Sequence, residues 1–188
     1  FYFLFLLIIF FVFLNFENNF SELFLSLTSS ISNVGFSLNN SSSNLSFVFL
    51  ILVIIGGSFF STSSGIRFLK IYSLFKYSIN EILSYSRPKN IYINKHLFSK
   101  DSFKLDEIYK YFLSVIVFII SLLILTFLLT LSGIDFESSF KLSILTIMNT
   151  VNSSMFGLGD FSFYDLHFMT KYYLIFFMIV GRLELLTL

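Results

Sequence analysis

The glycines of this sequence are the residues whose positions could support chemistry. Six of the eight interrupt apolar segments at short polar turns: Gly35, Gly56, Gly57, Gly65, Gly157 and Gly159. Glycine permits positive φ and close approach of the backbone. Non-helical backbone at membrane depth is tolerated only where protein or a water-filled cavity surrounds it, and backbone carbonyls around such a cavity can replace the hydration shell of an ion. These turns therefore indicate coordination of a cation by the main chain.

The turn after the first short apolar segment is the first candidate site. Ser32, Asn33, Val34 and Gly35 follow segment 20–31, which is apolar but too short to span a bilayer. A short helix that enters the membrane and returns through such a turn directs its carbonyls at a central axis. These four residues are therefore predicted to form one wall of a cation filter. On this segment alone, a glycine-containing extracellular loop is the alternative.

No enzymatic or nucleotide-binding site is predicted. The sequence has no cysteine, no phosphate-binding glycine loop and no nucleophile beside a histidine. His96 and His167 have no carboxylate at metal-ligand spacing and are interpreted as loop residues. Four acidic residues could concentrate cations at a pore mouth, although solvated loop charges are the favoured interpretation: Asp135, Glu137, Asp160 and Asp165. No cofactor is expected, and no metal beyond a permeating cation.

The composition is that of a membrane protein. Apolar residues make up 56% of the chain and charged residues 12%, about half the charge of a soluble domain. Segment 111–131 carries no charge and is long enough to cross a hydrocarbon core of ~30 Å as a helix. Further apolar runs occupy 47–55, which ends at a glycine pair, and 172–180. The opening run, 1–14, lacks the features of a signal peptide and is interpreted as a truncated transmembrane helix, and both chain ends are expected to be cut.

Basic residues are concentrated in one segment. Nine of the twelve Lys and Arg lie within 66–110, whereas 15–60 has none and 132–170 has only Lys141. The positive-inside rule predicts that 66–110 is cytoplasmic and that the other two segments face outward.

An internal repeat supports the same topology. Segment 15–20 matches 135–140 at an offset of 120 residues. Each copy follows an apolar run and precedes a short apolar segment, a Ser/Asn-rich turn with glycine, and another apolar segment. Parallel repeats place equivalent loops on the same side of the membrane, which agrees with the charge distribution.

Four segments resemble the Trk/Ktr/HKT family of potassium transporters, in family order and across essentially the whole chain. Segment 33–37 (N-V-G-F-S) resembles a filter of the family, and 152–160 resembles its last filter. Segment 56–67 (G-G-S-F-F-S-T-S-S-G-I-R) is similar to the family's G-G-x-x-G-S-T-x-G-G-I-K, and 181–185 (G-R-L-E-L) is similar to G-R-L-E-I of its final helix. The family has four repeats around one pore, so the resemblance implies that this chain supplies the third and fourth.

The resemblance also implies a gate beneath the filter. In the family, the broken helix after the third filter forms an intramembrane loop that limits permeation, and an arginine of the final helix lies close to it. Here the gating loop would comprise Gly56, Gly57, Ser58, Ser61, Thr62, Ser63, Ser64 and Gly65. Arg182 would be the gate-contacting residue, with snorkelling at a helix end as the alternative. Phe60 and Ser64 replace glycines of that family pattern, which predicts a stiffer loop.

The fourth filter is assigned to Ser154, Met155, Phe156 and Gly157, with two alignments left open. A gapless repeat alignment sets Met155 opposite Gly35, although methionine resists positive φ. Two extra residues set Gly157 opposite Gly35, which is the favoured alternative. Selectivity for potassium over sodium therefore follows only from the resemblance.

We expect an all-α membrane protein built from tandem helix–re-entrant pore helix–filter loop–helix repeats: a third pore repeat over 1–77, a cytoplasmic basic loop over 78–108 and a fourth pore repeat over 109–188. The expected function is potassium uptake across the bacterial inner membrane through a gated pore lined by backbone carbonyls, with K⁺ as permeant ion and no catalysis.

The resemblance further implies a homodimer of complete subunits in a lipid bilayer and a cytosolic nucleotide-binding regulatory ring of the TrkA/KtrA kind; no nucleic acid is expected. A secondary transporter with its site at broken helices and a non-transporting membrane subunit are the alternatives.

Overall fold

All regular structure in the described part of the chain is helical. The computed structural model describes residues 20–36, 46–55, 68–86, 105–152, 154–158, 161–164 and 166–182. Six α-helices run in the order α1 (Phe20–Ile31), α2 (Ser46–Ile55), α3 (Phe68–Ser86), α4 (Leu105–Leu131), α5 (Phe136–Met148) and α6 (Phe168–Arg182), with one 3-10 turn at Ser154–Phe156. The all-α prediction is confirmed for these residues, whereas the predicted opening helix (1–14) and gating loop (56–65) lie outside them.

Helix α4 is the one helix of the described residues that is long and apolar enough to cross a membrane. Its 27 residues extend about 40 Å at ~1.5 Å per residue. Asp106 and Glu107 occupy its first turn, where the helix dipole favours negative charge. The helix ends at Leu131; two residues later Gly133 has φ +92° and donates its N–H to Thr130 O at 3.0 Å. The predicted span 111–131 therefore lies within this helix, which begins six residues earlier.

Helices α4 and α6 leave a broad apolar surface exposed. The exposed side chains on α4 include Phe112, Leu113, Ile116, Ile119, Ile120, Leu123, Ile124 and Phe127, and those on α6 include Phe168, Tyr172, Ile175, Phe176 and Ile179. Water-soluble proteins rarely leave contiguous apolar surface of this extent uncovered. The surface fits acyl chains or further protein.

Helix α5 lies at the centre of the described helices. It packs against α2, α4 and α6, while α1 packs against α2. Five large apolar side chains of α5 are fully buried: Leu142, Ile144, Leu145, Ile147 and Met148. Helices α1 and α5 have 12 and 13 residues, so each is about 20 Å long and too short to span. Each of these short helices thus packs against the next α-helix in the chain.

Hydroxyl groups inside the helices are satisfied by their own backbone. Thr126 Oγ1 donates to Leu122 O at 2.8 Å, and Thr146 Oγ1 donates to Leu142 O at 2.7 Å. This bond to the carbonyl four residues earlier lets a polar side chain be buried without an outside partner.

Two helix boundaries differ from the sequence prediction. Helix α3 continues to Ser86, into segment 78–108 that the sequence assigns to a loop. The described part of this helix ends at Ser86, two residues before Pro88. The short apolar segment that follows the repeat motif 135–140 lies in the helix Phe136–Met148, which begins within the motif itself.

Candidate cation filter

The two short helices end in the same kind of turn. Asn33 and Asn149 are the two non-glycine residues with positive φ in the described chain, at 56° and 55°. Asparagine tolerates this left-handed conformation better than most residues. Asn33 N–H donates to Ser30 O at 3.2 Å, and Asn149 N–H donates to Thr146 O at 3.1 Å.

The next amide in each turn completes the match. Val34 N–H donates to Ser29 O at 3.0 Å, and Thr150 N–H donates to Leu145 O at 2.9 Å. In each case the donor lies five residues after the acceptor, which is the Schellman pattern with asparagine in the position usually held by glycine. Helices α1 and α5 are therefore terminated alike.

The shared turn aligns the two repeats differently from the motifs at 15–20 and 135–140. With Asn33 matched to Asn149, Val34 corresponds to Thr150 and Gly35 to Val151. The sequence alignment used the motifs at 15–20 and 135–140. Thirteen residues separate Phe20 from Asn33, but nine separate Phe140 from Asn149. The difference is about one helical turn, so Val151 follows its turn at the position that Gly35 has in the first turn. The positive φ of Gly35 (+81°) recurs at Gly157 (+72°) instead, and the assignment of the fourth wall to Met155 or Gly157 stays a prediction.

The two turns are in direct contact. Val151 N–H donates to Val34 O at 3.1 Å. Gly35 is buried with φ +81°, and a Cβ placed there would collide with Val151 O and lie 2.7 Å from Thr150 Cγ2. Only glycine combines this backbone conformation with so close an approach. The predicted wall Ser32–Gly35 therefore abuts the turn that follows α5.

The first predicted wall is held by hydrogen bonds to α1. Ser32 Oγ donates to Thr28 O at 2.8 Å, and Phe36 N–H donates to Ser29 Oγ at 2.6 Å. These bonds fix the backbone on both sides of Gly35, as a preorganised coordination site requires.

The second predicted wall lies deeper in the helix packing. Met155 and Phe156 are fully buried, and Ser30 Oγ donates to Met155 Sδ at 3.7 Å. Gly157 has φ +72°, and its nearest surroundings are Lys141 and Ser46. The structure therefore places the side chain of Met155 against α1, whereas the atoms closest to Gly35 belong to Thr150 and Val151.

A charged pair lies beside Gly157. Lys141 Nζ is 3.2 Å from the position that a Cβ of Gly157 would take, and it contacts Glu137 Oε1 at 2.6 Å. The hydrogen bond from Lys141, together with its charge, lowers the pKa of the Glu137 carboxyl below its ordinary value. An ammonium at this place opposes a cation near Gly157, and the Glu137 carboxylate compensates part of that opposition.

The turn after α5 is also bound to the last helix. Asn149 Nδ2 donates to Met178 O at 3.1 Å. A Cβ on Gly181 would collide with Ile147 O and lie 3.1 Å from Asn149 Nδ2. The backbones of α5 and α6 therefore meet at Gly181, one residue before Arg182.

Arg182 is the last described residue of α6, and its side chain is exposed. The gating loop it is predicted to contact, 56–65, lies outside the described residues, as do Leu183–Leu185 of the final-helix motif. The contact between Arg182 and the gate therefore stays a prediction.

The remaining polar candidates divide into described and undescribed residues. Asp135 precedes α5 as its N-cap residue. His167 Nδ1 accepts from Met169 N–H at 3.3 Å, at the start of α6, so it has a local structural contact. His96, Asp160 and Asp165 lie outside the described residues.

The sequence analysis did not predict the contacts of Asn149, Thr150 and Val151, or the close approach at Gly181. An asparagine directly after each short apolar segment was the available signal.

Comparison with known proteins supports the fold. A scan against protein-family models gives no match, and a search of curated proteins also gives none. Among solved structures, the chain is similar to the crystal structure of the potassium transporter TrkH from Vibrio parahaemolyticus. The TM-score is 0.77 at 21% sequence identity, over 97% of this chain and 40% of that chain.

The chain therefore has the fold of an all-α membrane protein. More particularly, it has the fold of part of TrkH and spans about 40% of that transporter's length.

Proposed function

We propose that this chain forms two pore repeats, the third and fourth, of the ion-conducting subunit of a Trk/Ktr-type system that takes up potassium across the inner membrane. The contact between the turns after α1 and α5, from Val151 N–H to Val34 O, is the observation that carries the proposal. Two helices too short to span, ending alike and meeting at their ends, are the arrangement that a filter built from backbone carbonyls requires.

In this proposal a dehydrated K⁺ is held by main-chain carbonyls of Ser32–Gly35 and of the segment after α5, including Ser154–Gly157. The buried, conformationally fixed backbone around Gly35 supports a preorganised site. Because Val151 follows its turn as Gly35 follows the first, we add the carbonyls of 149–152 to the candidates for the fourth wall.

Gating is assigned to the loop 56–65 together with Arg182. The bond from Asn149 to Met178 O supports a mechanical link between the fourth wall and the helix that carries Arg182. Segment 66–110 is proposed to be cytoplasmic and the filter turns to face outward. A homodimer of complete subunits and a cytosolic nucleotide-binding ring complete the proposed assembly, in which this chain performs no catalysis.

Cation uptake by the full open reading frame tests the proposal in cells deficient in potassium uptake. Gly35→Asp and Gly157→Asp are expected to reduce uptake or K⁺/Na⁺ discrimination at equal amounts of subunit in the membrane. Wild-type behaviour of both variants would remove the channel proposal. Wild-type flux in Arg182→Ala would remove only the gate assignment.

A further inference from the structure

Thr150 differs from the other threonines that the structure describes. Five of the six donate their hydroxyl to a backbone carbonyl of their own helix or turn: Thr28, Thr126, Thr130, Thr146 and Thr170. Thr150 is 7% exposed, and its Oγ1 makes no hydrogen bond within the described chain. A buried hydroxyl in this state costs about 1–3 kcal/mol, so an outside partner is expected.

A second buried oxygen lies two residues further on. Asn152 Nδ2 donates to Leu158 O at 3.3 Å, which fixes the orientation of the amide because only its nitrogen can donate to a carbonyl. The other end, Oδ1, is buried and has no hydrogen-bond partner within the described chain.

Both residues lie next to the contact between the two turns. They flank Val151, whose N–H bonds to Val34 O. The methyl group of Thr150 lies 2.7 Å from the place a Cβ would take on Gly35, so its hydroxyl shares the same neighbourhood.

The chemistry of this pair selects one class of ligand. A hydroxyl and an amide oxygen are neutral hard ligands, and the described residues contain no group of three or more His, Cys, Asp or Glu side chains that could hold a metal ion. Divalent Ca²⁺ and Mg²⁺ sites are normally built on carboxylates. Neutral oxygens without a carboxylate suit a weakly held monovalent cation.

We propose that Thr150 Oγ1 and Asn152 Oδ1 are side-chain ligands of the permeating monovalent cation, in addition to the backbone carbonyls. The inference rests on the proposed function and adds to it two side-chain determinants of affinity and selectivity.

Thr150→Val tests the hydroxyl in the full reading frame, because valine keeps the shape and removes the oxygen. We expect the K⁺/Na⁺ uptake ratio, or the affinity for K⁺, to fall roughly tenfold, the change that loss of one bond of this strength produces. Thr150→Ser keeps the oxygen and should retain the wild-type ratio. Thr146→Val is the matched control, because its hydroxyl is already satisfied inside α5. All uptake rates are divided by the amount of subunit in the membrane.

Asn152→Asp tests the second oxygen independently of how Thr150→Val folds. A carboxylate at Oδ1 should strengthen block by Ba²⁺, a divalent cation of about the size of K⁺. If Thr150→Val matched Thr146→Val in both K⁺/Na⁺ ratio and K⁺ affinity, or if Ba²⁺ block were unchanged in Asn152→Asp, the ligand assignment would be overturned. If the ligand assignment fails but Gly35→Asp abolishes uptake, the proposed function still stands. Normal uptake in Gly35→Asp and Gly157→Asp would remove both the proposed function and the ligand assignment.

Discussion

At the scale of single residues, Gly35 combines a positive φ with a close backbone contact. Its φ of +81° is unfavourable for any side chain, and the backbone of Val151 occupies the space that a Cβ would need. Gly133 has a similar φ of +92° but nothing within 4 Å. Substitutions at these two glycines therefore separate the cost of a side chain at positive φ from the cost of its collision with Val151.

Gly35→Ala is expected to destabilise the protein far more than Gly133→Ala. Both variants carry the left-handed cost of about 1–2 kcal/mol, and Gly35→Ala adds an overpacking cost of about 1–3 kcal/mol. Thermal stability in detergent, followed by the amount of soluble protein after heating, measures the difference. Equal losses in the two variants would mean that the contact with Val151 does not form.

The pair Glu137–Lys141 is expected to tune cation entry near Gly157. Glu137→Gln leaves the Lys141 ammonium uncompensated, so uptake at low K⁺ should fall about two- to fivefold, the size expected for one unit charge a few ångström away in a medium close to water. Adding Lys141→Met should restore uptake, whereas Lys171→Met should not. Restoration by both substitutions would point to a general charge effect.

The same pair predicts a pH dependence with a definite sign. Because Lys141 lowers the pKa of Glu137, the carboxylate and its contribution to stability persist below the ordinary pKa of glutamate, ~4.3. That contribution is lost as pH falls through the lowered pKa. Wild-type uptake should therefore approach that of Glu137→Gln only at pH values below the ordinary range. A difference between the two that disappears at neutral pH would contradict the ion pair.

At the scale of elements, the approach of α5 to α6 depends on Gly181. The carbonyl of Ile147 faces the missing side chain there, and Asn149 adds a hydrogen bond to the same helix. A larger residue at 181 must push the two helices apart.

Gly181→Ala is expected to lower stability by about 1–3 kcal/mol through overpacking, although alanine is the better helix former. Ile179→Ala on the same helix is the control, because Ile179 is exposed. Stability measured in detergent should fall clearly more in Gly181→Ala. If Gly181→Ala were as stable as wild type, the close approach of α5 and α6 would be wrong.

The sequence was informative about helices and less so about their ends. The uncharged run 111–131 and the short apolar segment 20–31 correspond to α4 and α1, because length and apolar content decide them. The repeat motif did not predict the position of the turn after α5, because α5 reaches this turn four residues sooner after the matched phenylalanine than α1 does. The contacts at Gly35 and Gly181 join segments far apart in the chain, and local sequence pattern carries no information about them.

At the scale of the whole molecule, topology can be tested because the chain has no cysteine of its own. Tyr164 and Tyr85 are 90% and 85% exposed, and the orientation that we propose from the charge distribution has them on opposite sides of the membrane. In a reading frame freed of other cysteines, Tyr164→Cys should react with a membrane-impermeant maleimide in intact spheroplasts, whereas Tyr85→Cys should react only after lysis. Labelling of both before lysis, or the reverse order, would contradict the proposed orientation.

In the proposed filter, the hydrogen bond between Val151 and Val34 has a mechanical consequence for the aperture that the two turns would border. Because this bond joins neighbouring walls, it fixes the distance between them. One wall therefore cannot move inward around a smaller ion unless the other wall moves with it. Each wall is also anchored to its own short helix by the Schellman bonds, which raises the cost of such shrinkage further. An aperture braced in this way would keep its diameter while empty, and a sodium ion would then find oxygens too far away to replace the water it must shed.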